Sequence, residues 1–237
     1  MNFKKIFLGI LIILILYLVY TYIFRDSTSA NLYTGGNAKQ AQVIDAKKLP
    51  GNKGSVDFTF SIWIYVNSWQ YRYGNEKTIF RRVSKKGNDV MPEVALAAST
   101  NDLIITLTHY PKEGVDDVGQ MDKWSVHNIP LQKWCHILIS TNNRAVDTYI
   151  DGKLVNTHVL AGVPKTDAEA PVLLTPDDGF SGETSKLRYI ARSVNPREAY
   201  EIYREGPGGN IFSDLLSQYK LKFAFLKNNE EINSFEL

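Results

Sequence analysis

The stretch KWCHILIS places a cysteine, Cys135, directly before a histidine, His136. Such a pair could supply a thiolate nucleophile and the base that activates it. The stretch alternates, however, with Cys135, Ile137 and Ile139 on one face, which is the period of a β-strand. Neighbouring strand residues point to opposite faces, so the thiol and the imidazole cannot share a proton. We therefore interpret Cys135 as a buried structural thiol.

Other catalytic patterns are missing from the sequence. It has no Gly-x-Ser-x-Gly nucleophile elbow, no phosphate-binding Gly-x-x-x-x-Gly-Lys loop and no His-Glu-x-x-His zinc helix. The histidines at positions 109, 127, 136 and 158 lack the spacing of metal ligands, and we interpret each as a solvent-facing or hydrogen-bonded strand residue. The sequence therefore predicts a protein without catalytic activity and without a cofactor.

The loop NSWQYRYGNE carries the best candidates for a binding surface, namely Trp69, Tyr71, Arg72 and Tyr73. An exposed aromatic face with a polar rim suits the stacking of a sugar ring. Trp, Tyr and Arg are also the residues enriched at protein–protein hot spots. The loop is therefore predicted to contact either a carbohydrate or another protein.

The composition narrows the class of partner and the compartment. The formal net charge of the 237 residues is +2, and the basic residues are scattered among acids, so nucleic acid is an unsuitable partner. A single cysteine allows no intrachain disulfide, and no Asn-x-Ser/Thr sequon occurs. Both features suit a protein made in reducing surroundings.

The N-terminus predicts a single membrane span over residues 6–24, after a short basic segment at residues 1–5. The span is uncharged and would cover about 30 Å as a helix, which matches the bilayer core. It includes Ile6, Leu11, Leu16, Tyr20 and Phe24. The rival interpretation is a cleaved signal peptide ending at the small residues Thr28-Ser29-Ala30, but the apolar run is longer than the roughly 7–15 residues of a signal sequence.

Residues 25–54 are rich in Ser, Thr, Asn, Gly and Lys and predict a spacer whose first half is free. From residue 55 onward, short alternating strands are separated by turns, which predicts an all-β, two-sheet jelly-roll sandwich. Asp151-Gly152 is typical of a type I′ hairpin turn. Asn195 and Pro196 predict the start of one short helix, which Gly206-Pro207 ends.

Residues 208–237 predict a C-terminal tail with a β-hairpin. Its first strand alternates apolar and basic side chains, so one face is apolar and the other carries Lys220 and Lys222. We expect this strand to complete the sandwich or to meet a partner. The candidate contact residues are Lys220, Lys222, Phe223 and Phe225.

The order of these features resembles the laminin-G-like, concanavalin-A-like jelly roll over residues 55–207. The segments that carry the resemblance are FTFSIWIYV, LQKWCHILIS, VDTYIDGKLV and GFSGETSKLRYIARSVNPREAYEIYREGP. More narrowly, IPLQKWCHILI, the hairpin, VPK, DGFSG and INSFEL are similar to membrane-anchored proteins of this fold from large double-stranded DNA viruses of algae and protists.

The resemblance implies specific functions. Glucan-cleaving members carry a Glu-x-Asp-x-x-Glu strand, and this sequence contains no Glu-x-Asp. Laminin-G-like modules hold calcium with loop oxygens, which would make Asp116, Asp117, Asp177 and Asp178 the calcium candidates, with solvated turns as the alternative. The viral likeness implies a virion-membrane adaptor, a minor capsid protein linking the virion or host-derived membrane to the capsid. The alternative is a membrane-displayed lectin-like module that binds carbohydrate.

Overall fold

The computed structural model describes residues 3–23, 27–51, 55–85, 89–111, 119–208, 222–227 and 230–236. Four residues singled out from the sequence, Phe24, Asp116, Asp117 and Lys220, lie outside these ranges. The helices are α1 (Phe3–Ile23), a 3₁₀ turn (Ala46–Lys48) and α2 (Pro196–Arg204). The strands are β1 (Ser29–Asn37), β2 (Gln42–Ile44), β3 (Thr59–Ser68), β4 (Lys77–Val83), β5 (Val90–Leu96), β6 (Leu103–His109), β7 (Gln120–Val126), β8 (Trp134–Asn142), β9 (Ala145–Ile150), β10 (Lys153–Val159), β11 (Val172–Leu174), β12 (Ser181–Ile190), β13 (Lys222–Lys227) and β14 (Glu230–Glu236).

The strands form the predicted two-sheet sandwich. Sheet A has the strand order β1-β12-β3-β8-β9-β10, and sheet B has the order β2-β11-β4-β5-β6-β7. Neighbouring strands in both sheets pair antiparallel. Because consecutive strands repeatedly change sheets, residues far apart in the sequence meet at the ends of the sandwich.

The core lies between the two sheets and contains the side chains that the period-2 pattern predicts. In β3 and the residue before it, the inward face is Phe58, Phe60, Ile62, Ile64 and Val66, and all of these side chains are buried. The ring of Phe60 packs against Phe80 of sheet B, with ring centroids 5.0 Å apart, and against Tyr189 of β12 at 4.9 Å. Burial of this apolar surface is the main force that holds the sheets together.

The outer face of sheet A is covered by α2, so both faces of its central strands are buried. Ala199 and Ile202 of α2 pack on Leu138 and Tyr149 of sheet A. The Asn195 side chain accepts a hydrogen bond from the backbone N–H of Glu198 at 2.9 Å, which caps the helix as predicted. A helix on the outside of the sheet explains why β3 and β8 carry few charged residues on either face.

The hairpin between β9 and β10 turns at Asp151-Gly152, with φ angles of 49° and 73°. Both residues therefore adopt the left-handed conformation that a type I′ turn requires, as the sequence predicts. The tail likewise forms a hairpin, in which β13 pairs antiparallel with β14.

The prediction that the first half of residues 25–54 is free was wrong. Ser29–Asn37 form β1, the edge strand of sheet A, and Gln42–Ile44 form β2, the edge strand of sheet B. The segment escapes detection because an edge strand is held by backbone hydrogen bonds, and few of its side chains reach the core. The buried side chains of the segment are Leu32, Ala38 and Ile44, and the partly buried Ala30, Tyr33 and Leu49 also pack against the core.

Helix α1 covers the apolar N-terminal segment. The side chains described within it are those of residues 7–9, 11–17 and 19, and Leu11 and Leu16 are exposed. Over the described residues, no helix meets the length and hydropathy that crossing a membrane requires.

Candidate functional site

The Cys135–His136 pair lies on β8 with its two side chains on opposite faces of sheet A. Cys135 is part of the inter-sheet core, whereas His136 lies under α2 beside Trp63. Burial raises the pKa of Cys135 to about 12, and burial followed by the charge of Arg188 lowers the pKa of His136 to about 3. At neutral pH a protonated thiol and a neutral imidazole face different environments, so the pair cannot act as nucleophile and base.

The Trp69–Tyr73 loop is not the exposed surface that the sequence predicts. Trp69 is half-buried and packs on the core, with the buried Lys77 ammonium 4.8 Å from its ring centroid. The Tyr71 hydroxyl donates to the Asp178 carbonyl at 3.2 Å. Among the four loop candidates only Tyr73 is well exposed, at 57 %. Trp69 is less exposed than the sequence predicts because its ring covers Lys77 at the margin of the core, and a binding role for the loop stays a prediction.

The turn at Asp177, Asp178 and Gly179 is held by that loop. Its residues have φ angles of 54°, 62° and 43°, and Arg72 donates to the Asp177 and Gly179 carbonyl oxygens. The Asp177 carboxylate pairs with Arg81 at 3.3 Å. The Asp177 and Gly179 carbonyl oxygens, which could coordinate calcium, therefore accept hydrogen bonds from the Arg72 guanidinium instead. The described part of the chain contains no cluster of three or more metal-ligating side chains.

A cleft of about 240 Å³ opens where the ends of β4 and β12 meet two loops. We call it the Arg82 cleft, and its lining residues are Leu49, Pro50, Gly51, Ser55, Arg82, Thr166, Asp167, Ala168 and Tyr189. Arg82 lies two positions after the core residue Phe80, and its side chain is only 5 % exposed. A charged side chain therefore sits inside the sandwich at the floor of an opening to solvent.

The direct hydrogen-bond partners of the Arg82 guanidinium are neutral. Nε donates to the Ala170 carbonyl at 3.0 Å, and one terminal nitrogen donates to the Asp167 carbonyl at 2.6 Å. The Tyr189 side chain, from the opposite sheet, makes a further hydrogen bond. Burial lowers the pKa of Arg82, and the electrostatic interactions with Tyr189 and with the Asp167 carboxylate, together with the Tyr189 hydrogen bond, oppose this effect.

The Asp167 carboxylate is directed into its own turn rather than at Arg82. One oxygen accepts from the Ser84 hydroxyl at 3.0 Å and the Lys85 N–H at 3.2 Å, and the other accepts from the Glu169 N–H at 2.9 Å. Burial raises the pKa of Asp167, but these hydrogen bonds outweigh burial and hold it below its ordinary value. The carboxylate thus fixes the loop that forms one wall of the cleft.

A second feature lies where the edge strands β7 and β10 meet. His109 and His158 both face the Asp122 carboxylate, at 3.5 Å and 3.0 Å, and the His158 ring stacks on Trp124 with centroids 4.2 Å apart. Close by is a cleft of about 320 Å³ lined by Ser125, Val126, His127, Asn128, Ile129, Pro130, Ile150, Val155 and Asn156, none of them Arg, Lys, Asp or Glu.

Comparison with known proteins supplies the family. Residues 35–200 match the concanavalin A-like lectin/glucanases superfamily, of the laminin-G type. The chain belongs to this superfamily. No curated protein matches the chain closely.

Several solved structures share the fold of this superfamily member. They are a mutant of HCR/D (11% identity, TM-score 0.53), the binding domain of botulinum neurotoxin DC in complex with SialylT (18%, 0.51) and the binding domain of Paraclostridial Mosquitocidal Protein 1 (15%, 0.51). They match over 71%, 70% and 71% of this chain and over 42%, 39% and 42% of their own chains. The chain therefore spans about two fifths of the length of these structures.

The roles of Arg82 and Tyr189 in this concanavalin A-like protein were not predicted from its sequence. A signal was present, because Arg81 and Arg82 are adjacent in a strand and adjacent strand residues face opposite sides. One arginine of such a pair must point inward if the strand is central to a sandwich. The meeting of His109 with His158 had no comparable signal, because it depends on how two edge strands approach each other.

Proposed function

We propose that this chain is a non-catalytic, membrane-anchored binding module whose jelly roll holds a saccharide in the Arg82 cleft. The observation that carries the proposal is the combination of groups in the cleft. Arg82 supplies N–H donors, Thr166 and Ser55 supply hydroxyls, and Leu49 and Pro50 supply an apolar wall. A few convergent polar groups on an otherwise apolar concave surface are typical of small-ligand sites.

The cleft residues include one carboxyl group, Asp167, and this favours binding over hydrolysis. A glycosidase uses two carboxyl groups, one of them a general acid with a raised pKa. Asp167 is the only Asp or Glu among the residues that line the cleft, and its pKa is lowered. Its oxygens also accept from Ser84, Lys85 and Glu169, so it is poorly placed to donate a proton.

The solved structures support a binding role at the level of the fold. Two of them are described as binding domains, and the one from botulinum neurotoxin DC is in complex with SialylT. A saccharide is accordingly the ligand class that we assign to the cleft.

The sequence of the N-terminal segment supports the anchor. Residues 6–24 carry no charge and would extend about 30 Å as a helix at about 1.5 Å per residue, close to the thickness of the bilayer core. Exposed Phe, Leu, Ile, Tyr and Val side chains occur on every side of it. We assign the protein to a virion membrane or a host-derived membrane, with the sandwich held beside the lipid.

A second candidate function is the structural adaptor of a virus particle. The observation that favours it is an exposed apolar strip on the edge strands, comprising Met121 on β7 and Leu154, Val155 and Val159 on β10. Apolar strips of this kind are typical of protein contact surfaces. Cross-linking in purified particles tests this function, and a capsid-protein link to β10 would favour the adaptor.

A glycan array probed with the full-length chain tests the saccharide function. We expect saturable binding to at least one glycan class, lost in Ala168→Trp because Ala168 is exposed at the mouth of the cleft. The matched control is Ala161→Trp, which adds the same ring at an exposed position outside the cleft. Absence of binding to every glycan, or unchanged binding by Ala168→Trp, would refute the saccharide cleft.

A further inference from the structure

We propose that the saccharide bound in the Arg82 cleft is acidic, and that its carboxylate pairs with the Arg82 guanidinium. The inference rests on the proposed function and adds the charge and size of the ligand. It depends on three features of the cleft: a buried cation with no carboxylate in ion-pair contact, a neighbouring carboxylate that makes its hydrogen bonds elsewhere, and a small volume.

Arg82 has more donors than described partners. A guanidinium carries five N–H groups. The hydrogen bonds to Ala170, Asp167 and Tyr189 all involve neutral acceptors, two of them backbone carbonyls. No carboxylate among the described residues lies within ion-pair distance of Arg82. A buried guanidinium with N–H donors left over and no carboxylate in ion-pair contact can form charge-assisted hydrogen bonds with an anion that reaches it.

The hydrogen bonds of Asp167 keep its carboxylate away from Arg82. Because its oxygens accept from Ser84, Lys85 and Glu169, the residue meets Arg82 through its backbone carbonyl instead. The loop therefore presents a neutral acceptor to the guanidinium, and the Asp167 carboxylate acts on Arg82 through its charge without a direct ion pair. A ligand carboxylate can accept two parallel hydrogen bonds from such a group, which is the geometry that arginine favours.

The size of the cleft limits the ligand to one sugar ring at the charged end. Its volume of about 240 Å³ is below the roughly 300–1,000 Å³ of pockets for drug-sized ligands. The larger cleft near β7 and β10 has no arginine or lysine in its lining, so it offers no comparable site for an anion. A uronic acid or a sialic acid at the end of a glycan chain has the required charge and size.

The test is calorimetric titration of the full-length chain, held in a polyoxyethylene detergent that contains no sugar. The ligands are glucuronic acid and N-acetylneuraminic acid, each compared with its own methyl ester, together with glucose and sodium acetate. We expect each acid to bind about tenfold or more tightly than its ester, because esterification removes the negative charge and the pair of equivalent oxygens that arginine binds while it keeps the sugar ring. Acetate alone should bind far more weakly than the sugar acids, because it lacks the ring.

Two pairs of variants test whether the preference for the acid over its ester depends on the positive charge of Arg82. Arg82→Gln should make acid and ester bind equally, whereas Arg197→Gln, which removes an 89 % exposed arginine of α2, should leave the preference intact. Since Arg82→Gln could disturb folding, the second pair leaves Arg82 in place. Ala168→Glu puts a negative charge at the mouth of the cleft and should weaken binding of the acids more than of the esters, whereas Ala161→Glu should not.

The possible results distinguish a failure of the acidic-ligand proposal from a failure of the saccharide proposal. If neutral sugars or the esters bind as tightly as the acids, the acidic ligand is wrong and the saccharide site stands. If acetate binds as tightly as the sugar acids, the cleft is a site for small anions and the saccharide is wrong. If no ligand binds, both proposals fail.

Discussion

At the scale of single residues, His136 is the group whose burial has the clearest measurable consequence. It lies between Trp63 and Tyr203, with ring centroids 4.9 Å and 6.0 Å away, and its Nε2 is 2.8 Å from the Ser61 hydroxyl. Its Nδ1 is buried without a hydrogen-bond partner among the described residues. Protonation would place a charge in this apolar layer under α2, beside the positive charge of Arg188.

We expect the free energy of unfolding to fall as the pH drops below about 6.5. The pKa of His136 is about 3 in the folded protein, whereas a histidine of an unfolded chain titrates near 6.5. As the pH falls, the unfolded state therefore takes up the proton before the folded state does. The contribution of neutral His136 to the free energy of unfolding is complete above about pH 6.5 and is lost as the pH falls toward 3. The slope from this residue reaches about 1.4 kcal/mol per pH unit. Urea denaturation between pH 5 and 7 measures it.

His136→Phe keeps a ring in the layer and should flatten that slope, although the Ser61 hydroxyl loses its partner and overall stability falls. His127→Gln is the control, because the His127 side chain is 69 % exposed and faces the Asp102 carboxylate at 3.2 Å rather than a buried apolar layer. Hydrogen bonds from Thr100 and from the turn at 167–169 lower the pKa values of Asp102 and Asp167. Protonation of these two carboxylates therefore changes the free energy of unfolding at lower pH than the protonation of His136 does. A slope that persists in His136→Phe would contradict the prediction.

The sequence correctly predicted the environment of those residues whose surroundings depend on their neighbours in the sequence. The alternation of β8 placed Cys135 in the core, and Asn195 was identified as a cap from its neighbours alone. Arg82 was missed because its partners Ala170 and Asp167 are 88 and 85 residues away in the sequence. Trp69 was mistaken for an exposed residue because nothing local to it shows that Lys77 lies beneath the ring.

At the scale of elements, the edge strands β1 and β2 are integral to the sandwich. β1 pairs with β12 from Ser29 opposite Ile190 to Asn37 opposite Glu183, and β2 pairs with β11. The sequence did not predict β1 because SANLYTGGN lacks alternation, and only Leu32 of this strand is buried. Strands with several inward side chains, such as β3 and β8, were recognisable from their pattern.

We expect a fragment of residues 27–237 to unfold cooperatively and a fragment of residues 55–237 to be severely destabilised. The shorter fragment lacks Leu32 and Ile44 and leaves β11 and β12 without their edge partners. Full burial of each such side chain is worth about 1.5–3 kcal/mol, against a total stability of about 5–15 kcal/mol. Circular dichroism and urea denaturation of the two fragments measure the difference.

Point variants in the longer fragment separate packing from chain length. Leu32→Ala should lower the free energy of unfolding by about 2–5 kcal/mol, because Leu32 is buried in the core. Val43→Ala is the control and should change it by less than about 0.5 kcal/mol, since Val43 is 73 % exposed in β2. Equal effects of the two substitutions, or native stability of residues 55–237, would show that the edge strands are dispensable.

At the scale of the whole molecule, the sequence predicted the architecture because the order of its motifs carries more information than any one of them. The superfamily match begins at residue 35, within β1, earlier than the boundary at residue 55 that the strand pattern suggested. The Arg82 cleft is a product of this level of organisation, because Arg82 belongs to sheet B and Tyr189 to sheet A. A site made by two sheets has no counterpart in any single stretch of sequence.

The anchor is the remaining whole-molecule proposal, and a liposome flotation experiment tests it. We expect the full-length chain to float with uncharged phosphatidylcholine vesicles and to stay bound in high salt and at pH 11, because an apolar helix inserted in lipid is not held by charge. A fragment of residues 27–237 lacks α1 and should remain at the bottom of the gradient. Leu11→Lys combined with Leu16→Lys should abolish flotation, because each lysine costs about 2.5–3.5 kcal/mol near the centre of the bilayer. Replacement of Lys4 and Lys5 by Gln is the control and should leave flotation intact, whereas release of the full-length chain by alkali would mean that α1 lies on the surface or binds a protein instead.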